Sequence, residues 1–266
     1  LFRIMLSGKK SMLLRLQKAR KAFAIHLLVS LLVACIAAGM VFFLWFPSPY
    51  QGLAGGSHLF WMLVGIDIIC GPLLTLILFH SSKSRRELTL DLSLVVIIQL
   101  AALIYGLHSI ALARPVVIAF EVDRFVAVSL AQLDPTSLAQ APIDMRSMSW
   151  TGPRLIGTRR PLNEVEGFRS LELSLQGIEP SARPDWWQAY EQSAPDVRQR
   201  MKPIADLRAK CTAETRESID AAVAKTGMTS NTLYYLPLTS QKMVDGWIIL
   251  LDVQAKIVGY APVDGF

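Results

Sequence analysis

The stretch FAIHLLVSLLVACIAAGMVFFLWF, residues 23–46, decides the class of this chain. It holds no acid, no Lys and no Arg, and it exceeds the roughly 20 helical residues that cross a hydrocarbon core. Two more runs of this kind follow, Leu59–Phe79 and Leu92–Ala113. Hydrophobic residues make up 52% of the 266 and mean hydropathy is +0.39. The pattern predicts three transmembrane helices at about 23–46, 59–79 and 92–113. Around them lie a basic N-terminal segment, residues 1–21, and a tail, residues 114–266.

The charges predict orientation. Seven basic residues and no acid precede the first run, from Arg3 to Lys21. The connection Pro47–His58 carries no charge, and Lys83, Arg85 and Arg86 sit between the second and third runs. Basic residues near span ends favour the cytoplasmic side, so the N-terminus is expected inside. Three spans then put the tail outside, in the periplasm of a two-membrane bacterium. The first 113 residues hold ten Lys/Arg against three Asp/Glu, the remainder seventeen against eighteen, so the net +6 belongs to the membrane half. It reports topology, and no nucleic-acid partner is expected, because a basic binding footprint clusters on a folded face. The first run is too long for the core of a cleaved signal and no small-x-small site follows it. Phe42, Phe43, Trp45, Phe46 and Tyr50 read as an aromatic belt at its outer end.

The tail reads as a small α+β domain with an antiparallel sheet. Val116–Phe120 and Phe125–Leu130 are predicted β and could form one long strand; Arg154–Thr158 is a short strand. Asp134-Pro135 is a helix-start signal, and Asn163 with Glu166 suggests a capped helix running to Gly177. Helices are predicted at Asp185–Gln192, at Asp196–Lys210 split near Pro203, and from Thr212 or Thr215 to Gly227. Leu233–Thr239, Val244–Leu251 and Lys256–Ala261 suggest an antiparallel meander.

Catalytic and metal chemistry find little support. The tail contains no His and only Cys211, and no two cysteines have C-x-x-C spacing. No cofactor is expected. Glu121 and Asp123 flank Val122 beside Arg124, and without a His, or a Ser or Cys in a nucleophile motif, they read as solvated or salt-bridged, or as a docking edge. Trp186 and Trp187, with Tyr190, read as a helical aromatic cluster serving as core or contact patch.

Four stretches resemble a known family. They are Lys21-Ala22-Phe23-Ala24-Ile25-His26-Leu27-Leu28 with Phe43-Leu44-Trp45-Phe46-Pro47; Val64-Gly65-Ile66-Asp67 with Gly71-Pro72-Leu73-Leu74-Thr75; Asp91-Leu92 with Gln99-Leu100-Ala101-Ala102-Leu103-Ile104-Tyr105-Gly106; and Ala113-Arg114-Pro115 with Phe120-Glu121-Val122-Asp123-Arg124-Phe125. Together they resemble the type IV pilin accessory proteins (the TfpX/TfpZ type, with the FimB-like fimbrial assembly proteins). The resemblance is dense from about residue 21 to 130 and thin across the middle of the tail. It implies an inner-membrane protein that assists a major type IV pilin, by stabilisation or assembly, among inner-membrane lipids and other pilus assembly proteins.

The intramembrane polar residues are the candidate contacts. A carboxylate at span depth costs a few kcal/mol and faces a partner or a cavity. Asp67 lies about 12 Å in from the outer end of its span, level with Tyr105 on the third. The two are expected to hydrogen-bond, beside Ala38 and Gly39 on the first span; the other reading has Asp67 capturing a polar group of a client helix. Gly71 and Pro72 mark a kink that either opens a lateral groove or is merely tolerated. His26, near the inner end, either snorkels or pairs with the acidic residue that the family context implies in the pilin helix. Gln99 is an inter-helix hydrogen-bond candidate. The alternative functions are a periplasmic ligand-binding sensor acting through a partner, and an intramembrane hydrolase, which lacks a second deep carboxylate or a supported Ser–His pair.

Overall fold

The computed structural model describes residues 2–78 and 83–266, so Phe79 and His80, the latter one of the four histidines placed beside the spans, lie outside the described residues. Three helices are long and apolar enough to cross a membrane. They are α1 (Phe2–Gly39), which continues as a π-helical stretch Met40–Trp45, α3 (Gly56–Leu78) and α4 (Arg85–Ala113). A single turn, α2 (Tyr50–Leu53), lies between the first two. Ser84 caps α4: its Oγ accepts from the Glu87 N–H at 3.2 Å while the Glu87 carboxylate accepts from the Ser84 N–H at 2.8 Å. This reciprocal pair satisfies two donors that a helix start leaves orphaned.

The chain folds as two units: residues up to Phe43 with Gly56–Ala111, and Leu44–Gly55 with Leu112–Phe266. In the first, α1 and α3 are antiparallel and pack closely, whereas α4 touches them sparsely. His26 meets Thr75 at one end of the α1–α3 pair, and Phe42 meets Phe60 edge-on at 4.9 Å at the other. Leu63 lies over Gly106 and Gln99 over Gly71, where a Cβ would fall 2.4 Å and 2.1 Å from the covering side chains. Gly39 has nothing within 4 Å of its Cβ position, so it is no site of close approach; the glycines that allow it are on α3 and α4.

The second unit is a mixed sheet with helices. Among the described residues eight strands form one sheet in the order β4-β3-β1-β2-β6-β7-β8, with β5 also pairing to β6. They are β1 (Pro115–Glu121), β2 (Arg124–Ser129), β3 (Arg154–Thr158), β4 (Trp187–Gln188), β5 (Lys202–Pro203), β6 (Tyr234–Ser240), β7 (Ile248–Leu251) and β8 (Ile257–Ala261). The C-terminal meander β6-β7-β8 is antiparallel as expected, but β1 pairs β3, and β2 pairs β6, in parallel. The sheet is therefore mixed and not purely antiparallel. Helices α6 (Tyr190–Arg200), α7 (Ile204–Lys210) and α8 (Ala213–Thr226) pack against it, whereas α5 (Glu164–Leu175) touches the strands sparsely. Every residue of β1 is buried. Ile118 and Phe120 face one cluster with Phe125, Leu236 and Leu238, while Val117 and Ala119 face another with Ile156, Met145 and Trp187. Burial on both faces is why this strand reads as an unbroken apolar run instead of an alternating one.

Several local expectations are corrected. β1 and β2 are a hairpin and not one strand: the chain reverses at Val122-Asp123, with Val122 at φ 58°. A β-branched residue rarely takes that conformation. No Gly or Asn advertises the turn, and across it Phe120 pairs with Phe125, their rings tilted at 60° with centroids 5.6 Å apart. Asp134 starts no α-helix; its carboxylate accepts from the Thr136 N–H and hydroxyl, closing a local turn that competes with helix formation. The expected helix Asp185–Gln192 is absent over its first half: Asp185–Gln188 belongs to a 3-10 turn and the short β4, and the Trp187 indole turns inward to donate to the Ser181 carbonyl at 2.9 Å. The next helix starts at Tyr190 and takes Pro195 into its interior, and the expected break at Pro203 is present. The caps are as read: the Asn163 side chain accepts from the Glu166 N–H, and α8 runs from Thr212 to a left-handed Gly227.

The aromatic belt is redistributed. Phe43 is exposed, but Trp45, Phe46 and Tyr50 are buried. Tyr50 and Leu53 belong to the core of the second unit with Ile118, Phe125 and Leu238. The Tyr50 hydroxyl lies 3.0 Å from that of Tyr260, and Ser240 donates to the Leu53 carbonyl at 2.7 Å. The uncharged connection between the first two spans is thus part of the second unit's hydrophobic core.

Candidate functional site

Where α1, α3 and α4 diverge they leave a cavity of about 240 Å³. Val29, Val33, Ala34, Val64, Val96, Leu100 and Leu103 make its apolar wall, and His26, Ser30, Asp67 and Gln99 supply its polar groups. The structure therefore brings three of the four intramembrane candidates, Asp67, His26 and Gln99, to one cavity. It leaves Tyr105 out: that side chain is 74% exposed on α4, and the residue that reaches the Asp67 level is Gln99. The Gln99 amide donates to the Asp67 carbonyl at 3.2 Å, while its own Oε1 is buried without a hydrogen-bond partner among the described residues. The expected Asp67–Tyr105 bond fails because equal depth on two helices says nothing of azimuth, and Tyr105, six residues on from Gln99, points about 120° away from it around α4. Helix α3 runs unbroken through Pro72, and both Gly71 and Pro72 are buried. The cavity opens one turn earlier, bounded by the Gln99 side chain that the bare Gly71 admits.

The candidates in the second unit are mostly structural. Glu121 is buried and accepts from the Ser181 N–H at 3.0 Å; burial raises its carboxyl above the ordinary range. Asp123 sits in the hairpin turn, paired to Arg124 at 2.9 Å, and the Arg124 guanidinium lies over the Phe266 ring. Trp186 and Trp187 are both buried, in a 3-10 turn and a strand, and so form no contact patch. Trp186 is sandwiched between two guanidiniums, Arg159 at 4.6 Å and Arg183 at 4.4 Å from its centroid.

Arg159 in turn clamps Glu166 through both carboxylate oxygens, at 3.0 and 2.7 Å. Those bonds, with the Leu162 N–H, hold the Glu166 carboxyl down to about 2. A depressed folded value means a contribution that is full above the unfolded value near 4.5 and lost as pH falls toward 2. The expected outcome is that wild type loses more stability than Glu166→Gln between pH 5 and pH 2.5. Detergent-phase thermal unfolding at stepped pH reads this, and parallel curves for the two proteins would refute it. The comparison cancels Glu121, whose opposite shift is common to both.

Helix α5 carries a feature missed in the sequence. Val165, Phe168, Leu171 and Leu175, with Leu162 before them, are all exposed, Phe168 by 73%. Their spacing of three and four residues makes one stripe, while the face turned inward offers only Ser170 as a fully buried residue. The periodic signal was legible, but periodicity alone assigns an apolar stripe to the core.

The chain was compared with known proteins. The family model described as fimbrial assembly protein FimB matches residues 14–55. The chain is 36% identical over 248 residues to the fimbrial assembly protein of serogroup I of Dichelobacter nodosus, covering 93% of this chain and 96% of that one. It is likewise 36% identical to the serogroup E1 protein over the same shares, and 46% identical over 123 residues to that of serogroups C1 and C2, 46% of this chain and 94% of that one. This chain belongs to the FimB fimbrial assembly family. No solved structure matches it. The family places it in fimbrial biogenesis, and its three apolar helices make it a membrane component of that system.

Proposed function

We propose that this FimB-family protein is a non-enzymatic inner-membrane accessory factor that holds a fimbrial subunit, a major type IV pilin, before assembly. Its N-terminus is cytoplasmic and residues 114–266 are periplasmic. The observation that carries the reading is the three-span cavity with an unpartnered Gln99 Oε1 beside Asp67. Buried polar groups inside a membrane need partners, and an apolar helix bearing one donor meets both the wall and the acceptors. The α5 stripe supports a second contact, with the subunit's outer head, since exposed apolar patches of this extent mark interaction sites. Binding the unassembled form shifts its population away from aggregation and proteolysis by mass action.

The test is site-specific photocrosslinking in fimbriated cells, with the crosslinker at Leu100 in the cavity and at Phe168 on α5. The expected result is a subunit adduct at both positions, the Leu100 adduct forming even when the subunit's head is deleted. No subunit adduct at Leu100 in a cell that accumulates the protein and makes fimbriae would end the reading.

A further inference from the structure

Two spans, Ala19–Trp45 and Arg85–Ala113, end within the second unit, and both ends touch one short segment. The Gly152 N–H donates to the Leu44 carbonyl at 2.8 Å, one residue before the first of these ends. Gly152 is at φ 66°, and a Cβ there would meet Pro47 at 3.3 Å, so a side chain would push the segment off the span terminus. Arg114, the residue that follows the third span, is buried; it reaches the Ser149 carbonyl at 3.5 Å and lays its guanidinium over the Trp150 ring at 4.9 Å. Trp150 is therefore fastened to the ends of two spans, yet it is 68% exposed.

We infer that Trp150 is a membrane-interface anchor, its indole seated in the headgroup region of the bilayer that the spans cross. A side chain held by residues 44 and 114 lies within a few ångströms of the level where the chain leaves hydrocarbon, whatever the tilt of the remaining structure. Trp favours that level because its ring is apolar while its N–H needs a hydrated partner. Of the aromatics nearest those ends in sequence Phe43 is exposed, but the amphipathic ones, Trp45 and Tyr50, are consumed with Phe46 by the protein interior. Trp150 fills the position they leave, and Arg114 beneath it orients the ring by cation–π contact. The bilayer, continuous with the spans, is the occupant that the segment's attachment points select. The inference rests on the membrane crossing and is independent of the proposed subunit contacts.

The experiment uses the full chain with Cys35, Cys70 and Cys211 replaced, carrying a nitroxide through Trp150→Cys, in vesicles of phosphatidylethanolamine and phosphatidylglycerol. Ile104→Cys serves as the hydrocarbon reference, and Leu175→Cys and Gln254→Cys as aqueous ones. Power saturation with oxygen and with a water-soluble nickel chelate gives depth. The expected result at 150 is an interfacial ratio between the references, which turns aqueous when the spans are solubilised in short-chain detergent. A nickel accessibility at 150 equal to that at 175 and 254 would overturn the inference. So would a label shielded from both reagents, which would mean burial against protein. Native emission gives a second reading on unlabelled protein: brominated lipid should quench wild type more than Trp150→Phe, and equal quenching counts against the anchor.

Discussion

Asp67→Leu should abolish fimbriation while leaving the protein at least as abundant as wild type. The two halves of this outcome separate a working carboxylate from a structural one. A carboxylic side chain at mid-span costs about 2.5–3.5 kcal/mol on insertion scales, so removing it favours the inserted, folded state. The structure shows no compensating loss: the hydrogen bond at this level runs from Gln99 to the Asp67 main-chain carbonyl, which leucine keeps. If Asp67 meets a donor on the subunit helix, its loss removes about 1–2 kcal/mol of intramembrane hydrogen bonding, roughly 5- to 30-fold in affinity, and leaves the subunit's polar group unpaired in hydrocarbon. The measurement is immunoblot of the protein and of the subunit, with surface fimbriae counted by electron microscopy. Lower accumulation of the variant, or normal fimbriae with it, would remove Asp67 from subunit binding. Asp67→Asn should fall between, since an amide still accepts.

Leu53→Ala should destabilise the second unit, the sheet domain, although residue 53 lies between two membrane spans. Leu53 is fully buried, among Ile118, Phe125 and Leu238. Truncating a buried leucine costs about 2–5 kcal/mol through lost transfer energy and the cavity left behind. That is a large share of a total near 5–15 kcal/mol, and at about 2–4 °C per kcal/mol for a unit of this size the melting temperature should fall by roughly 5–20 °C. Proteolysis of residues 115–266 against temperature reads the effect in membranes. The same logic covers Tyr50, whose hydroxyl meets Tyr260: a fragment beginning at Arg114 exposes the surface that Tyr50 and Leu53 cover and should melt well below one in which residues 44–55 are fused back. Equal melting of the two fragments would show that the connection adds nothing.

Much of this was legible in the chain. Length and hydropathy marked three spans, because crossing a bilayer demands a run of apolar residues that needs no distant partner to define it. Caps were legible for the same reason: Asn163 and Thr212 act on N–H groups within three residues of themselves. The hairpin at Val122-Asp123 was hidden since Val122 takes its φ of 58° without the Gly or Asn that marks such turns, while Phe120 meets Phe125 across it. The parallel pairings β1–β3 and β2–β6 join residues far apart in sequence, and periodicity carries no record of a neighbour's direction.

The candidate site divides along the same line. That Asp67, His26 and Gln99 are candidates followed from polarity at depth alone, since the cost of an unpaired polar group in hydrocarbon is local. Which of them share a cavity did not, because that depends on helix rotation, set here by Gly71 and Gly106 admitting side chains of neighbouring helices. The sequence by itself determined that the chain enters the membrane three times and carries an α+β tail, for transfer free energy and capping act residue by residue. Only the tertiary structure decided that Tyr50 and Leu53 complete the tail's core, that α5 turns its apolar stripe outward and that Trp150 stands at the span ends. Burial is a property of what lies opposite a side chain, and for these residues the opposite partner, or its absence, lies elsewhere in the chain.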